Sequence, residues 1–373
     1  MVVTSFIHFF VLKSNWRTLV LRQASAAGGE LLQNKYIAMW VSTIMTKLIE
    51  RFLLLWLILL SLAAFYWPYT GLTFDPFNHP TLLPYLIIVT MFSVGWMLPV
   101  KEVKQVVTQW PVVLGGTVVQ FVSMPLLACL IGKLLEFEGE QLVGIFLVGC
   151  VPGAMASNVL TIVSKGNVSY SVSLTTLATL LSPLAVPVLL RLQASFADPV
   201  AAQLLTDNAQ GAGAVYLAAG LKLLKWVVIP VVCGFMLGRL LPQFEKPAKS
   251  IGAIIANLSI LVIIATVVGT SRVNLSQLER SLLVALLLIN LIGYCCGQFG
   301  GKLLKLSPGM KRALTLEVGM QNAGLGATLA IELFPSNPSV AIAPAFYTFF
   351  CMFTGTILAW YWSGKSNKPT IRS

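Results

Sequence analysis

Charge is scarce in this chain. Only 10% of its 373 residues are Asp, Glu, Lys or Arg, against 57% hydrophobic residues and a mean hydropathy of +0.84. Soluble domains carry about 25% charged residues, and so few charges could not cover a core this apolar. A soluble fold is thereby excluded, and the chain reads as a polytopic membrane protein. Histidine is scarcer still. The two present, His8 and His79, fall outside the apolar runs, which argues against a histidine proton relay or a histidine-held metal within the membrane. No Cys-x-x-Cys pair occurs. Cys129, Cys150, Cys233, Cys295, Cys296 and Cys351 are scattered through apolar runs and read as small buried hydrophobes, neither disulfides nor metal ligands. The net charge of +12 does not mark a nucleic-acid binder, because the Lys and Arg lie in short loops and form no long basic face.

What is present is a succession of apolar segments. A helix crossing the hydrocarbon needs about 20 residues, and ten segments qualify, at roughly 50–67, 82–100, 111–132, 141–164, 168–190, 220–241, 251–270, 281–304, 312–333 and 338–362. The expected class is an all-α integral membrane protein. Loop charge sets its sidedness. With residues 1–50 inside, the inner loops carry Lys101, Lys104, Lys165, Arg239, Lys246, Lys249, Lys302, Lys305, Lys311 and Arg312, and the tail adds Lys365, Lys368 and Arg372. The outer loops carry Lys133, Arg191, Arg272 and Arg280 only. Both termini are therefore expected to be cytoplasmic. Lys222 and Lys225 would snorkel to the outer interface, with attraction of an anion as the alternative.

The organisation divides into an N-terminal extension over 1–45, a first five-helix unit over 46–200, a second over 201–364 and a cytoplasmic tail over 365–373. The extension lacks a clear signal-peptide cleavage site and fits a transit peptide only loosely. It reads as disordered or as an over-called start, with "MTKLIERF" opening the first span. The stretch 191–219 reads as a linker or lateral segment. Five is odd, so the second unit enters from the opposite face, as an inverted repeat requires. "GKLL" recurs at Gly132 and Gly301. The fourth span, "LVGCVPGAMASNVLTIV", is broken by Pro152 and Gly153. The ninth, "TLEVGMQNAGLGATLA", carries Gln321 and Asn322 followed by Gly324 and Gly326. Matched polar breaks in two halves point to a binding site, although Gly and Pro also serve ordinary packing in membrane helices.

Breaking a helix in lipid frees backbone groups that must be satisfied. The half-helix ends carry partial charges, positive at N-termini and negative at C-termini. Glu317 is the only acid well inside a span, and no Lys or Arg within a span is an obvious partner. A bound cation would resolve its burial. Gln321 lies one turn on, Ser171 and Thr175 are one turn apart in the fifth span, and Gln120 sits in the middle of the third. With Asn158 these supply hard oxygen ligands suited to a small alkali cation. The bland alternative for the hydroxyls is back-bonding to their own helix.

At these residues the chain resembles the bile acid:sodium symporter family, through "VPGAMASNVLTIVSKGNVSYSVSLTTLATLLSPL" (151–184) and "LEVGMQNAGLGATLA" (316–330). The resemblance covers about 50–362. It implies ten helices in two inverted repeats, with broken, crossing fourth and ninth spans. A core would hold spans three to five and eight to ten, and a panel spans one, two, six and seven. It implies sodium coupling with two cation sites. The first would use Ser157, Asn158, Ser171, Thr175 and Glu317. The second would use Gln120, Glu317 and Gln321, with the backbone of Val318 and Met320. Substrate would meet Met155, Ala156, Ser157, Asn158, Asn322, Ala323 and Cys351. The family carries bile acids and small acids such as pantoate, ketopantoate and pyruvate. Similar bacterial transporters tend to have a small or hydroxyl residue at Met155 and often a His at Cys351. An apolar Met narrows the pocket and favours a small monocarboxylate over a bile acid.

The expected function is sodium-coupled symport of an organic anion, in a lipid bilayer, with no nucleic acid and no obligate protein partner. A bacterial inner membrane is favoured over an organellar one. The rival within transport is a proton-coupled carrier using Glu317. An intramembrane enzyme would need paired acids, an in-span His or a nucleophile with its base, and the chain offers one deep acid.

Overall fold

The computed structural model describes residues 52–206, 213–241, 248–275 and 279–365. The extension at 1–45, the basic start through Arg51, the middle of the central linker and the tail beyond Lys365 lie outside the described residues. The described chain is helical, apart from one isolated pair of bridged residues. Among the described residues, eight helical segments are long and apolar enough to cross a membrane: Leu53–Thr70, Pro80–Met97, Trp110–Leu134, Val168–Ala194, Ala214–Leu240, Ala253–Thr270, Arg280–Leu303 and Pro338–Gly364. Two further stretches are each a pair of short helices meeting at an extended break.

In chain order the helices are α1 (Leu53–Tyr66), α2 (Leu83–Met97), α3 (Val100–Thr108), α4 (Trp110–Leu134), α5 (Gly139–Cys150), α6 (Ala156–Val163), α7 (Val168–Ala194) and α8 (Pro199–Thr206). They continue as α9 (Ala214–Leu223), α10 (Ile229–Leu240), α11 (Ala253–Thr270), α12 (Arg272–Leu275), α13 (Arg280–Leu303), α14 (Pro308–Gly319), α15 (Ala323–Leu333) and α16 (Ile342–Lys365). A π-helical turn, Leu224–Val228, joins α9 to α10. α2 packs against α10 and α11, and α1 against α11. α4 packs against α5, α7 and α13, while α13 packs against α14 and α16. Leu, Val and Ile side chains fill these contacts, and Leu, Val, Trp and Phe also cover the outer faces, as a bilayer-facing surface requires.

The structure alters several expectations. The stretch 191–219 is not all linker: α7 runs to Ala194, α8 follows, and the next helix starts at Ala214. Asp198 explains α8. Its Oδ1 accepts from the N–H groups of Val200 (2.9 Å) and Ala201 (3.1 Å), with Pro199 at the first helical position. The other oxygen accepts from Gly139 N–H at 3.0 Å and ties α8 to the start of α5. The presumed inner loop after the second span is also helical, as α3, with Lys101 and Lys104 on its exposed side. Lys222 does not simply snorkel. Its Nζ pairs with Glu332 Oε2 at 2.8 Å and lies 4.6 Å from the Trp226 ring centre. The cysteines are all free, but Cys233 and Cys295 are exposed on helix faces and only Cys150 and Cys351 are buried.

Arg272 fixes the end of α1. Its Nε donates to the Ala64 carbonyl at 2.7 Å, satisfying a helix-end acceptor, and its NH1 meets Asp75 Oδ2 at 2.5 Å. The hydrogen bond from Arg272 holds the Asp75 carboxyl below its usual value, aided by the Phe77 N–H and opposed by burial. A depressed folded pKa contributes stability that is present above the unfolded value and lost as pH falls through the folded one. The melting temperature in detergent should therefore drop as pH falls below about 4, and Arg272→Gln should flatten the share of that drop due to Asp75. An unchanged acid limb in the variant would contradict this.

A candidate cation site at paired helix breaks

The first break follows α5. Pro152 has no N–H to donate, and its ring biases Val151 away from helix; Val151 is extended at φ −68°, ψ 153°. The second break follows α14, where Met320 takes φ −111°, ψ 91° without any proline. The two breaks run antiparallel and pair through their backbones. Ala154 N–H donates to the Met320 carbonyl at 2.7 Å, and Asn322 N–H donates to the Pro152 carbonyl at 2.8 Å, with Gly153 facing Gln321. Each break thus supplies partners that the other lost on leaving the helix, which answers the cost of exposed peptide groups at this depth. Asn322 then caps α15, its side chain accepting from Leu325 N–H at 3.2 Å.

Glu317 lies one turn before the second break and is fully buried. Ser157 Oγ of α6 donates to its Oε2 at 2.5 Å, and Thr175 Oγ1 of α7 donates to its Oε1 at 2.7 Å. Neither partner is cationic. The carboxylate lies flat against Gly153, where a Cβ would overlap both Oε1 and Cδ. The glycine is therefore a spatial requirement: it lets the acid of one half approach the broken backbone of the other.

Further oxygens surround this centre. Thr175 Oγ1 also lies 3.4 Å from Asn158 Oδ1 and 3.1 Å from the Ser171 carbonyl. Ser171 Oγ meets Thr161 Oγ1 at 3.2 Å. On the other side Gln120 Nε2 donates to Gln321 Oε1 at 3.2 Å, and Gln321 Nε2 donates to the Val318 carbonyl at 2.8 Å. Gln120 Oε1 is buried without a hydrogen-bond partner. The set is made of hard oxygens, one charged, with one acceptor unpaired, and this fits a small alkali cation. The Val318 and Met320 carbonyls already accept hydrogen bonds, and each has a second lone pair.

The structure brings Gln120, Ser157, Asn158, Ser171, Thr175, Glu317 and Gln321 together around the paired breaks. Met155, Ala156 and Asn322 are half-buried beside them. Ala323 and Cys351 are buried, and the Cys351 thiol donates to the Thr348 carbonyl of its own helix at 3.3 Å. Sequence reasoning missed Thr161, which lies one turn after Ser157 and Asn158 and could have been found by that spacing. It also missed Asn290 and Tyr347, which bond the backbone at Gly319; Asn290 is an amide in mid-span and carried the same kind of signal as Gln120.

Comparison with known proteins decides the family. The Sodium Bile acid symporter family matches residues 84–278. A sodium-dependent transporter of Bacillus subtilis, YocS, whose own function is uncharacterized, is 32% identical over 305 residues, covering 80% of this chain and 90% of the relative. The chain belongs to the sodium bile acid symporter family. Two other members show its breadth. The probable sodium/metabolite cotransporter BASS1 of Arabidopsis chloroplasts is 26% identical over 76% of this chain and 67% of its own length. The human ileal sodium/bile acid cotransporter is 28% identical over 78% and 82%. The present family member is accordingly a multi-pass, sodium-dependent membrane transporter and not an enzyme. The match at 84–278 contains the first break. Glu317 and the second break lie beyond it, so for this symporter their pairing rests on the geometry described above.

Proposed function

We propose that the chain is a secondary active symporter that couples sodium entry to uptake of an organic anion, preferring a small monocarboxylate such as pantoate, ketopantoate or pyruvate to a bile acid. The observation that carries this reading is the buried Glu317 carboxylate, met by hydroxyls alone at the junction of two broken helices. Two sodium sites are proposed. One uses Ser157, Asn158, Ser171, Thr175 and Glu317; the other uses Gln120, Glu317, Gln321 and the backbone of Val318 and Met320. Hydroxyls that now donate to Glu317 can rotate to offer lone pairs to a cation.

The substrate carboxylate is proposed to dock at the N-termini of α6 and α15, near Met155, Ala156, Ser157, Asn158, Asn322 and Ala323, where the partial positive charge of a helix start favours an anion. The apolar Met155 side chain at this point supports a small ligand. Cys351, buried on α16, is proposed to line the substrate cavity. The ten segments form two inverted repeats, 46–200 and 201–364, and the first, second, sixth and seventh spans, built from α1, α2, α9 with α10, and α11, form a panel against which the core of spans three to five and eight to ten rocks. Both termini face the cytoplasm, in a bacterial inner membrane. With two sodium ions per monoanion, one net charge enters per cycle, driven by about 2.3 kcal/mol per 100 mV.

The test is uptake of labelled small acids and a bile acid into proteoliposomes, under an inward sodium gradient or with choline instead. Uptake of a small acid only with sodium is the expected result. A second reading, proton coupling at Glu317, is favoured by the same burial among neutral donors. Uptake indifferent to choline but driven by a proton gradient would replace sodium with a proton at that residue.

A further inference from the structure

The last peptide of α14 is held from behind. Gly319 ends that helix, and its carbonyl has lost the intrahelical donor that a continuing helix would supply. Two fully buried side chains take over. Asn290 Nδ2 of α13 and Tyr347 Oη of α16 each donate to the Gly319 carbonyl at 2.8 Å. Asn290 is itself fixed, because its Oδ1 accepts from Thr354 Oγ1 at 2.5 Å, and Thr354 lies 3.2 Å from Tyr294 Oη. The Tyr294 ring presses on Gly319 so closely that a Cβ there would overlap it. Three side chains from two helices thus meet at one peptide, with Thr354 fixing two of them from behind.

That peptide lies between the two carbonyls assigned to sodium. Val318 precedes Gly319, and Met320 follows it. The Val318 carbonyl faces Gln321, and the Met320 carbonyl faces Ala154 of the other break. With the Gly319 carbonyl drawn the other way, towards Asn290 and Tyr347, its neighbours are left directed at the crossover. Gln321 Nε2 and Ala154 N–H hold the two neighbouring carbonyls from the site side, at 2.8 and 2.7 Å, and Asn290 and Tyr347 hold the carbonyl between them from behind. A glycine peptide swings easily where it is not held.

We infer that Asn290 and Tyr347 are positioning residues of the cation site, which hold the Gly319 carbonyl so that the Val318 and Met320 carbonyls are aimed at sodium. The inference rests on the sodium-symport reading above. Neither residue touches the ion; both act through the backbone. The chemistry is that of a second layer that sets the direction and spacing of oxygen ligands, and spacing governs which alkali cation fits best.

The experiment uses the full chain in proteoliposomes, with Tyr347→Phe and Thr354→Val as variants that keep shape, and Asn290→Ala as the larger change. Sodium half-saturation, the half-saturation for substrate at saturating sodium, and the ratio of sodium-driven to lithium-driven uptake are measured, alongside the melting temperature. Loss of one buried hydrogen bond should raise the sodium half-saturation about five-fold in Tyr347→Phe, within the range such bonds are worth. The double change of Tyr347→Phe with Asn290→Ala should raise it further. The lithium-to-sodium ratio should shift while substrate half-saturation at saturating sodium holds. A lower melting temperature with unchanged sodium half-saturation and unchanged cation preference would overturn the inference and leave these residues as packing. Wild-type uptake without any sodium dependence would instead overturn the symport reading on which it rests.

Discussion

Replacing Glu317 with alanine is expected to reduce sodium-dependent uptake to background while the protein still folds. Removing one partner of a buried charge pair costs about 3–5 kcal/mol, which corresponds to a loss of about 100-fold or more in sodium affinity. The fold should tolerate the change, because the carboxylate has no cationic partner among the described residues and its two donors are hydroxyls able to turn to other acceptors. In sodium-free buffer the variant should melt no lower than the parent, since an uncompensated buried carboxylate is a cost. The stabilisation that added sodium gives the parent should vanish in the variant, because ligand-linked stabilisation requires binding. Thermal melting with and without sodium, together with uptake, reads both effects. Uptake that persists with normal sodium dependence would remove Glu317 from the site.

Gly153→Ala should be nearly as severe, and for a different reason. The added methyl would occupy the place of the Glu317 carboxylate: its nearest atoms are Oε1, Cδ and Cγ of that side chain, whose carboxylate is held by Ser157 and Thr175 and so cannot yield without losing those bonds. Overpacking of this kind costs about 1–3 kcal/mol. Displacing the carboxylate from Ser157 and Thr175 should also cut sodium-driven uptake by at least about ten-fold. The double variant Gly153→Ala, Glu317→Ala separates the two effects. Its melting temperature should recover relative to Gly153→Ala alone, while its transport stays absent. Normal transport by Gly153→Ala would mean that the carboxylate does not rest against this backbone in the working protein.

Much of the site was legible because a bilayer penalises polar groups so strongly. In a chain this apolar, Glu317, Gln321, Gln120 and Asn158 stand out one by one, and helical spacing is enough to link Ser171 with Thr175. Pro152 marked the first break through its own geometry. The pairing of the breaks was not legible in the same way. It consists of backbone hydrogen bonds between Pro152, Ala154, Met320 and Asn322, which leave no side-chain signature. The contact between Gln120 and Gln321 joins residues 201 positions apart, a separation no periodicity can report. The ion pair of Lys222 was not legible for a related reason: its partner Glu332 sits in the last turn of α15, on a helix whose placement depends on the tertiary fold. The helix α8 was hidden by its surroundings, although Asp198 followed by Pro199 is a helix-start signal that a search restricted to long apolar runs passes over.

The backbone pairing at the crossover bears on how the chain is made. The break at 151–155 is synthesised long before its partner at 320–322 exists. In that interval its peptide groups sit within an apolar run without the Met320 acceptor and the Asn322 donor that complete them. Water, lipid headgroups or the insertion machinery must supply those bonds until the ninth segment arrives. The first half therefore cannot reach its final conformation during its own synthesis, and docking of the second half is the step that closes the backbone and creates the cation site.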